Sequence, residues 1–334
     1  LGAGYVAPNP MVGAVLVHRN RIIGEGYHEQ FGKAHAEPNC IASVREADWH
    51  LVSESTLYVS LEPCAHFGKT PPCADLIISN NIPRVVIGCR DPFEAVDGKG
   101  IEKLEAAGIE VITGVLEAAC KELNNRFFTF HIQGRPYIIL KWAQSANGCI
   151  AGAAKERISI SNELTNRLVH RWRSEEQAIA IGTNTALIDN PSLTTRLARG
   201  PHPIRVLLDK ELKVPTSFSV FSAEAETLVL NHHREDQTGS TRYIRLTKEE
   251  PVPEQMLRIL KGHGVISVII EGGTQLLQSF IDSGNWDEAR IITNPRLVIP
   301  DGYRAPVLNG GALQESRLSG SDNIHIYRHH PPVL

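Results

Sequence analysis

Long apolar runs are absent from this chain. No segment approaches the roughly 20 apolar residues of a membrane span, and the N-terminal LGAGYVAPNP has neither the charged nor the apolar region of a secretion signal. No membrane partner is expected, and the chain reads as cytoplasmic. Cysteine is scarce, with six in 334 residues, too few and too apolar in context for a disulfide framework. Only Cys64 and Cys73 lie in a polar, Pro-rich loop, so metal ligation or plain burial is the expected use of thiols. An excess of positive charge is also missing. The 34 Lys and Arg against 37 Asp and Glu leave a net charge of −3, without the basic footprint that nucleic-acid binding needs, so a small molecule is the expected partner.

What is there is ordinary globular material, 42% hydrophobic and 21% charged, enough for buried cores and too apolar for disorder. At roughly 150 residues per domain, the length predicts two domains. The chain begins at Leu1 rather than Met, and a further segment before it is expected.

The first third alternates β-branched runs with helical patterns. VGAVLVH (12–18) and RIIGEGY (21–27) read as an antiparallel hairpin. They are followed by a helix over 35–46, TLYVSL (56–61), a helix over 73–80, RVVIG (84–88), a helix near 98–107, EVITG (110–114) and a helix over 116–128. Strands separated by helices predict an α/β sheet covered on both faces. HIQGRP (131–136) interrupts the pattern, and a fresh strand, PYIILKWA, follows, which places a boundary between domains 1–132 and 133–334. The second half repeats the α/β grammar: a helix over 162–174 after Ser161, then AIAIG (178–182), IRVLLD (204–209), TLVLN (227–231), VISVIIEGG (265–273), a helix over 274–283 and ARIITN (289–294). HHREDQTGSTR (232–242) and PVP (251–253) read as surface loops, and no internal repeat links the halves.

His35-Ala-Glu37 stands at a helix start, where Pro38 fits because the first turn tolerates a missing N–H. Pro63-Cys64 follows an apolar strand. Cys73 opens the amphipathic helix ADLII, so its sulfur lies near a positive helix terminus that favours thiolate. One imidazole and two thiolates supply three zinc ligands, and a catalytic zinc keeps its fourth position for a water whose pKa it lowers towards roughly 7. Glu37 is placed to shuttle protons to that water. H-x-E followed by P-C and a second Cys is the signature of zinc deaminases of bases. Here eight residues, AHFGKTPP, separate the two cysteines instead of two, and His66 and Lys69 make that loop suitable for a phosphate. The plainer reading of the cluster is a structural zinc site or two buried cysteines.

The second half has no G-x-G-x-x-G. VISVIIEGGTQLL is nevertheless a strand, a carboxylate, two glycines and a helix start, a construction that brings backbone amides to an anion. IGTNTALIDNPSLTTR (181–196) gathers Thr185, Asp189, Asn190, Thr194 and Arg196 in a segment that reads as a loop too polar for a core, suited to a phosphorylated, hydroxyl-rich ligand.

PNPMVGAV (8–15), GEGYH (24–28), HAE (35–37), LEPCAHFGKTPPC (61–73) and GCRDPF (88–93) resemble the N-terminal half of the bifunctional deaminase/reductase family of riboflavin biosynthesis. KWAQSANG (141–148), VHRWRSEEQAIAIGTNTALIDNPSLTTR (169–196), IRVLLD and IIEGG (269–273) are similar to its reductase half, so the resemblance covers about the whole chain. It implies an α/β fold class, with a cytidine-deaminase-like domain followed by a dihydrofolate-reductase-like one. It implies that His35, Cys64 and Cys73 bind one zinc, that Glu37 is the general acid/base, and that Asn9, His66 and Lys69 hold a phosphoribosylaminopyrimidine substrate. In the reductase half it implies that Arg173, Leu193, Arg196 and Glu271 surround the ribose phosphate and pyrimidine. Ala143, Thr185, Asp189 and the turn Gly273, Thr274, Gln275, Leu276 and Leu277 would contact NADPH.

The implied activity is zinc-dependent hydrolytic deamination of 2,5-diamino-6-(5-phosphoribosylamino)pyrimidin-4-one. NADPH reduction of its ribosyl group to ribityl follows, and a homo-oligomer is implied as well. The chain departs from the family pattern at Pro38, at Asn147 in place of an Asp, at Lys210 in place of a small hydroxyl residue, and at Ser159 where a Trp is frequent. The family's first helix before PNP is represented here by at most a stub. A zinc deaminase of nucleosides or tRNA with a non-catalytic nucleotide-binding C-terminal half is the alternative within enzymes, and a zinc-stabilised regulatory scaffold the alternative outside them.

Overall fold

The computed structural model describes residues 1–67, 71–153 and 158–329. The chain forms two compact units, one over Leu1–Gly134 and one that begins at Arg135. The first unit runs to Gly134, which has φ +69° and ends the short helical turn Thr129–Gln133, two residues beyond the boundary predicted at 132.

In the first unit the strands are β1 (Gly13–His18), β2 (Arg21–Tyr27), β3 (Thr56–Leu61), β4 (Arg84–Cys89) and β5 (Glu110–Thr113). The helices are α1 (Ala36–Ala42), α2 (Cys73–Ser79), α3 (Lys99–Ala106), α4 (Glu117–Leu123) and α5 (Asn125–Phe128). The sheet order is β2-β1-β3-β4-β5, with β1 antiparallel to both neighbours and β3, β4 and β5 parallel. β4 is buried at five of six positions, as a parallel strand covered on both faces must be. Ala36, Cys40 and Ile41 of α1, Ala74 and Ile77 of α2 and Leu104 of α3 pack with Leu16, Leu57 and Val85. Phe127 and Phe128 join Leu61 and Cys89 in a separate cluster that Cys120 of α4 borders.

The helix predicted over 35–46 stops at Ala42. The Ser43 hydroxyl there donates to Cys40 O at 2.7 Å and accepts from Glu25 N at 2.8 Å, a local pairing that competes with helix continuation. The helix predicted over 116–128 is broken at Asn124, whose amide pairs with both Met11 N (2.7 Å) and Met11 O (2.9 Å).

The second unit contains β6 (Tyr137–Ser145), β7 (Cys149–Ala151), α6 (Glu163–Glu175), β8 (Ala178–Gly182), α7 (Thr183–Asp189), β9 (Ile204–Leu208), β10 (Thr227–Asn231), β11 (Asp236–Thr238) and β12 (Thr241–Arg245). It continues with α8 (Val252–Gly262), β13 (Ser267–Glu271), α9 (Thr274–Asp282), β14 (Glu288–Asn294), β15 (Tyr303–Arg304), β16 (Ala312–Ser319) and β17 (Asp322–Arg328). Ten strands, as described, form one sheet in the order β11-β12-β10-β9-β8-β13-β6-β14-β17-β16. Its parallel centre alternates with period two: Ile138, Leu140, Ala178, Ala180, Val268 and Ile270 enter one core, and Tyr137, Ile139, Ile179, Ile181 and Ile269 the other.

Four expectations are corrected here. The helix predicted over 162–174 begins at Glu163, with Asn162 as its cap, accepting from Thr165 N at 3.0 Å. The segment read as a loop over 181–196 holds the end of β8 and the helix α7. PVP does not form a loop but starts α8, because proline is tolerated in a first turn. HHREDQTGSTR contains β11 and the start of β12, paired with each other, and β12 gains its place from parallel pairing with β10, a long-range cause invisible in a polar local sequence. Among the described residues no helix is long and apolar enough to cross a membrane.

Candidate active sites

In the first unit the ends of β2 and β3 and the starts of α1 and α2 converge. Gly26 on β2 permits this approach, since a Cβ there would meet Cys40 N at 2.3 Å. His35 immediately precedes α1, Cys64 follows β3, and Cys73 is the first residue of α2. His35 Nδ1 lies 3.6 Å from Cys64 Sγ and 3.4 Å from Cys73 Sγ, and the three donor atoms all fall within 4.8 Å of one another. Zinc distances of about 2.0–2.1 Å to nitrogen and 2.3 Å to sulfur place tetrahedral donor atoms about 3.5–3.8 Å apart. The donor set therefore fits that ion. Cys73 N–H also donates to Cys64 Sγ at 3.3 Å, the helix-terminus assistance that a thiolate needs. The hydrogen bond with Cys73, and then the one with His35, pull the Cys64 thiol down to about 4, while Cys73 is pushed up by keeping the proton between them. Glu37 is buried beside the set, and burial pushes its carboxyl up to about 7.

Asn9 is brought to the same place. Its amide nitrogen donates to His28 Nε2 at 3.1 Å, His28 Nδ1–H donates to Ala34 O at 3.0 Å, and the His28 ring stands edge-on to His35 with 5.2 Å between centroids. Exposed His66 packs edge-on against Phe93 at 5.9 Å. Lys69 lies outside the described residues. Two buried carboxyls escaped the sequence reading. Asp91 accepts from Phe93 N at 2.8 Å, and burial, opposed by that bond and reinforced by the Glu62 and Cys64 charges, pushes it up to about 7. Glu62 accepts four backbone N–H groups, from Asp91 (3.2 Å), Gly98 (3.0 Å), Gly100 (2.9 Å) and Ile101 (3.3 Å), tying the segment before Cys64 to the start of α3.

The second unit holds a cleft of about 1200 Å³ at the carboxyl ends of β6, β8, β9 and β13, where open parallel sheets bind ligands. Ala143, Arg173, Thr185, Asp189, Leu193, Glu271, Gly273, Thr274, Gln275 and Leu276 line it. Leu277 does not: it is wholly buried in the core beneath α9, because the helical period turns that position inward. Arg196 is exposed and outside the lining, with its guanidinium folded onto the Ser192 hydroxyl. Gly272 has φ +106°, and a Cβ there would meet Thr185 Oγ1 at 2.6 Å. That hydroxyl accepts Gly273 N–H at 2.9 Å and fixes the turn into α9.

At the cleft floor Glu271 accepts from Arg173 Nη2 at 2.9 Å and lies 3.5 Å from the Lys141 ammonium. Burial pushes the Glu271 carboxyl up, but the Arg173 and Lys141 charges overrule it and hold the group at about 2. Lys141 was missed in the sequence; the signal was a lone charge in the otherwise apolar run YIILKWA. The triad leaves one net positive charge, and Arg173 Nε is buried without a partner among the described residues, both suited to an anionic ligand.

The departures have distinct places. Pro38 sits in the first turn of α1, Lys210 and Ser159 line the cleft, and Asn147 is structural. Its amide donates to Ile299 O (2.8 Å) and its oxygen accepts from Ile299 N (3.1 Å), a two-way clamp that an ionised Asp could not complete.

Residues 3–89 match the model of the cytidine and deoxycytidylate deaminase zinc-binding region, and residues 136–322 match the RibD C-terminal domain. Fold and site thus define a two-domain enzyme, a zinc-binding deaminase region followed by a reductase domain. Riboflavin biosynthesis protein RibD of Aquifex aeolicus is 39% identical over 301 residues, 88% of this chain and 83% of that one, and the Bacillus amyloliquefaciens protein of the same name is 40% identical over 96% and 84%. The chain belongs to the RibD family of bifunctional deaminase/reductases. A crystal structure of the diaminohydroxyphosphoribosylaminopyrimidine deaminase/5-amino-6-(5-phosphoribosylamino)uracil reductase of Thermotoga maritima superposes with a TM-score of 0.90 at 36% identity, covering 98% of this chain and 95% of that one. The match over 136–322 favours a reductase over the alternative of a non-catalytic binding module.

Proposed function

We propose that His35, Cys64 and Cys73 hold one zinc ion and that the first domain hydrolyses an amino group from 2,5-diamino-6-(5-phosphoribosylamino)pyrimidin-4-one. The observation that carries this is the donor triangle with a buried carboxyl beside it. Zinc held there supplies the Lewis acidity that makes water nucleophilic at neutral pH. Glu37, with its carboxyl near neutrality, takes a proton from the attacking water and returns one to the departing nitrogen, so that water and amine become carbonyl and ammonia. Asn9, oriented by His28, would contact the pyrimidine, and His66 and Lys69 are the candidate ligands of its phosphoribosyl arm.

The second domain reduces the deaminated product. NADPH held there would supply a hydride to C1′ of the imine formed when the ribose ring opens, and the imine nitrogen would take up a proton, giving the ribityl amine and NADP⁺. Ala143, Thr185, Asp189 and the Gly273–Leu276 turn would hold the cofactor, and Lys141, Arg173, Leu193, Arg196 and Glu271 would serve the substrate. The cleft fits such a ligand: it is large, bordered by the amides that open α9, and floored by a guanidinium nitrogen that has no partner among the described residues.

The test is ammonia release by zinc-loaded Glu37→Gln. Zinc content is expected to match the parent while ammonia release falls by about 10³-fold or more. Deamination at the parental rate would overturn the role of Glu37.

A further inference from the structure

The segment that carries Leu193 and Arg196 is backbone-strained. Asn190 has φ +40° and Leu193 φ +55°, a left-handed conformation that costs a leucine free energy and persists only where the surroundings enforce it. Two imidazoles supply part of that enforcement on consecutive amides. Thr195 N–H donates to His202 Nδ1 at 3.1 Å, and Arg196 N–H donates to His170 Nδ1 at 3.0 Å. His202 precedes β9, whereas His170 is on α6, three residues and so about one turn before Arg173. One helix therefore aims a guanidinium into the cleft and also grips the backbone of the segment opposite.

His170 is nearly fully buried. Burial first, then the charges of Arg173, Arg196 and Lys141, push its imidazole down to about 4, with Glu271 opposing. The ring is thus neutral in ordinary buffers and keeps the lone pair that the Arg196 amide requires.

We propose that His170 is a positioning residue for the reductase reaction, its Nδ1 holding the Arg196 amide so that Leu193 and Arg196 are presented to the phosphorylated ribose of the substrate. This rests on the reading of Arg196 as a substrate contact. His170 itself touches neither substrate nor cofactor in this assignment.

The experiment compares full-length, zinc-loaded parent, His170→Leu and His170→Asn. Asn carries its side-chain oxygen where histidine carries Nδ1, so it keeps the acceptor, while Leu fills the space without one. Two quantities are read: amide hydrogen exchange over residues 192–197, and KM and kcat for NADPH oxidation with the phosphoribosylaminouracil. His170→Leu is expected to exchange about tenfold faster at the Arg196 amide and to raise substrate KM about tenfold, with kcat and the KM for NADPH within about twofold, since one hydrogen bond of roughly 1.4 kcal/mol is lost. His170→Asn is expected to restore both. Unchanged exchange in His170→Leu overturns the proposal, as does an Asn variant no better than Leu. Faster exchange with unchanged substrate KM also overturns it, because the segment would then be held without serving the substrate. A parent enzyme that oxidises no NADPH defeats the reductase reading instead, a failure that the exchange data, being independent of turnover, keep separate.

Discussion

Arg173 Nη2 donates to Glu271 Oε2 across 2.9 Å, binding α6 to the end of β13 inside the reductase cleft. Glu271 also faces Lys141, so this one carboxylate neutralises part of two cations that are largely shielded from water. Removing it strands both. Glu271→Gln is expected to cost about 3–5 kcal/mol and to lower the melting temperature of the reductase domain by about 10 °C or more in scanning calorimetry, with loss of NADPH oxidation. A shift within error would contradict the account. The folded carboxyl titrates at about 2, below its unfolded value near 4.3. Its contribution to stability is therefore complete above pH of about 5 and is lost as pH falls through that interval.

Asp91 behaves in the opposite sense. Burial raises its carboxyl to about 7, so the folded deaminase domain is favoured while Asp91 stays protonated and loses that advantage as pH climbs from about 4 through 7. Asn mimics the protonated form and can still accept from Phe93 N–H. The melting temperature of Asp91→Asn relative to the parent is expected to rise with pH between 5 and 8, by an amount worth a few kcal/mol. A pH-independent difference would show that Asp91 is ionised throughout.

Gly272 tests the turn proposed to hold the cofactor. Its φ of +106° disfavours any side chain, and a Cβ would push against Thr185 Oγ1. Gly272→Ala is expected to cost about 1–3 kcal/mol and to displace the hydroxyl that receives Gly273 N–H. The readout is NADPH affinity, followed by quenching of protein fluorescence and expected to weaken by about tenfold or more. Unchanged affinity would remove the Gly272–Thr185 turn from the cofactor's path.

The sequence was most legible where short-range chemistry is dense. HAE before a helix, PC after a strand and a cysteine opening a helix needed only local rules to be read as one donor set, and the structure draws those three side chains together from residues 35, 64 and 73. Alternating apolar runs such as TLYVSL and AIAIG declared their strands. Asp91 and Glu62 were hidden because a carboxyl in a polar stretch looks like solvated surface until the fold buries it among backbone amides. Lys141 was overlooked because its carboxylate partner is 130 residues away.

Composition, motif order and periodicity indicated the two-domain α/β plan and grouped His35, Cys64 and Cys73 as candidate metal ligands, since these rest on residues close in sequence, whereas the reductase character of the second half was legible only through its resemblance to a known family. Tertiary structure alone decided which charges meet and which strands pair: the Lys141–Glu271–Arg173 triad, the clamp of Asn147 on Ile299, the parallel seat of β12 beside β10, and the grip of His170 on the Arg196 amide. Long-range contacts of this kind form only after chain entropy has been overcome by burial of the whole core, so no local window of the sequence contains them.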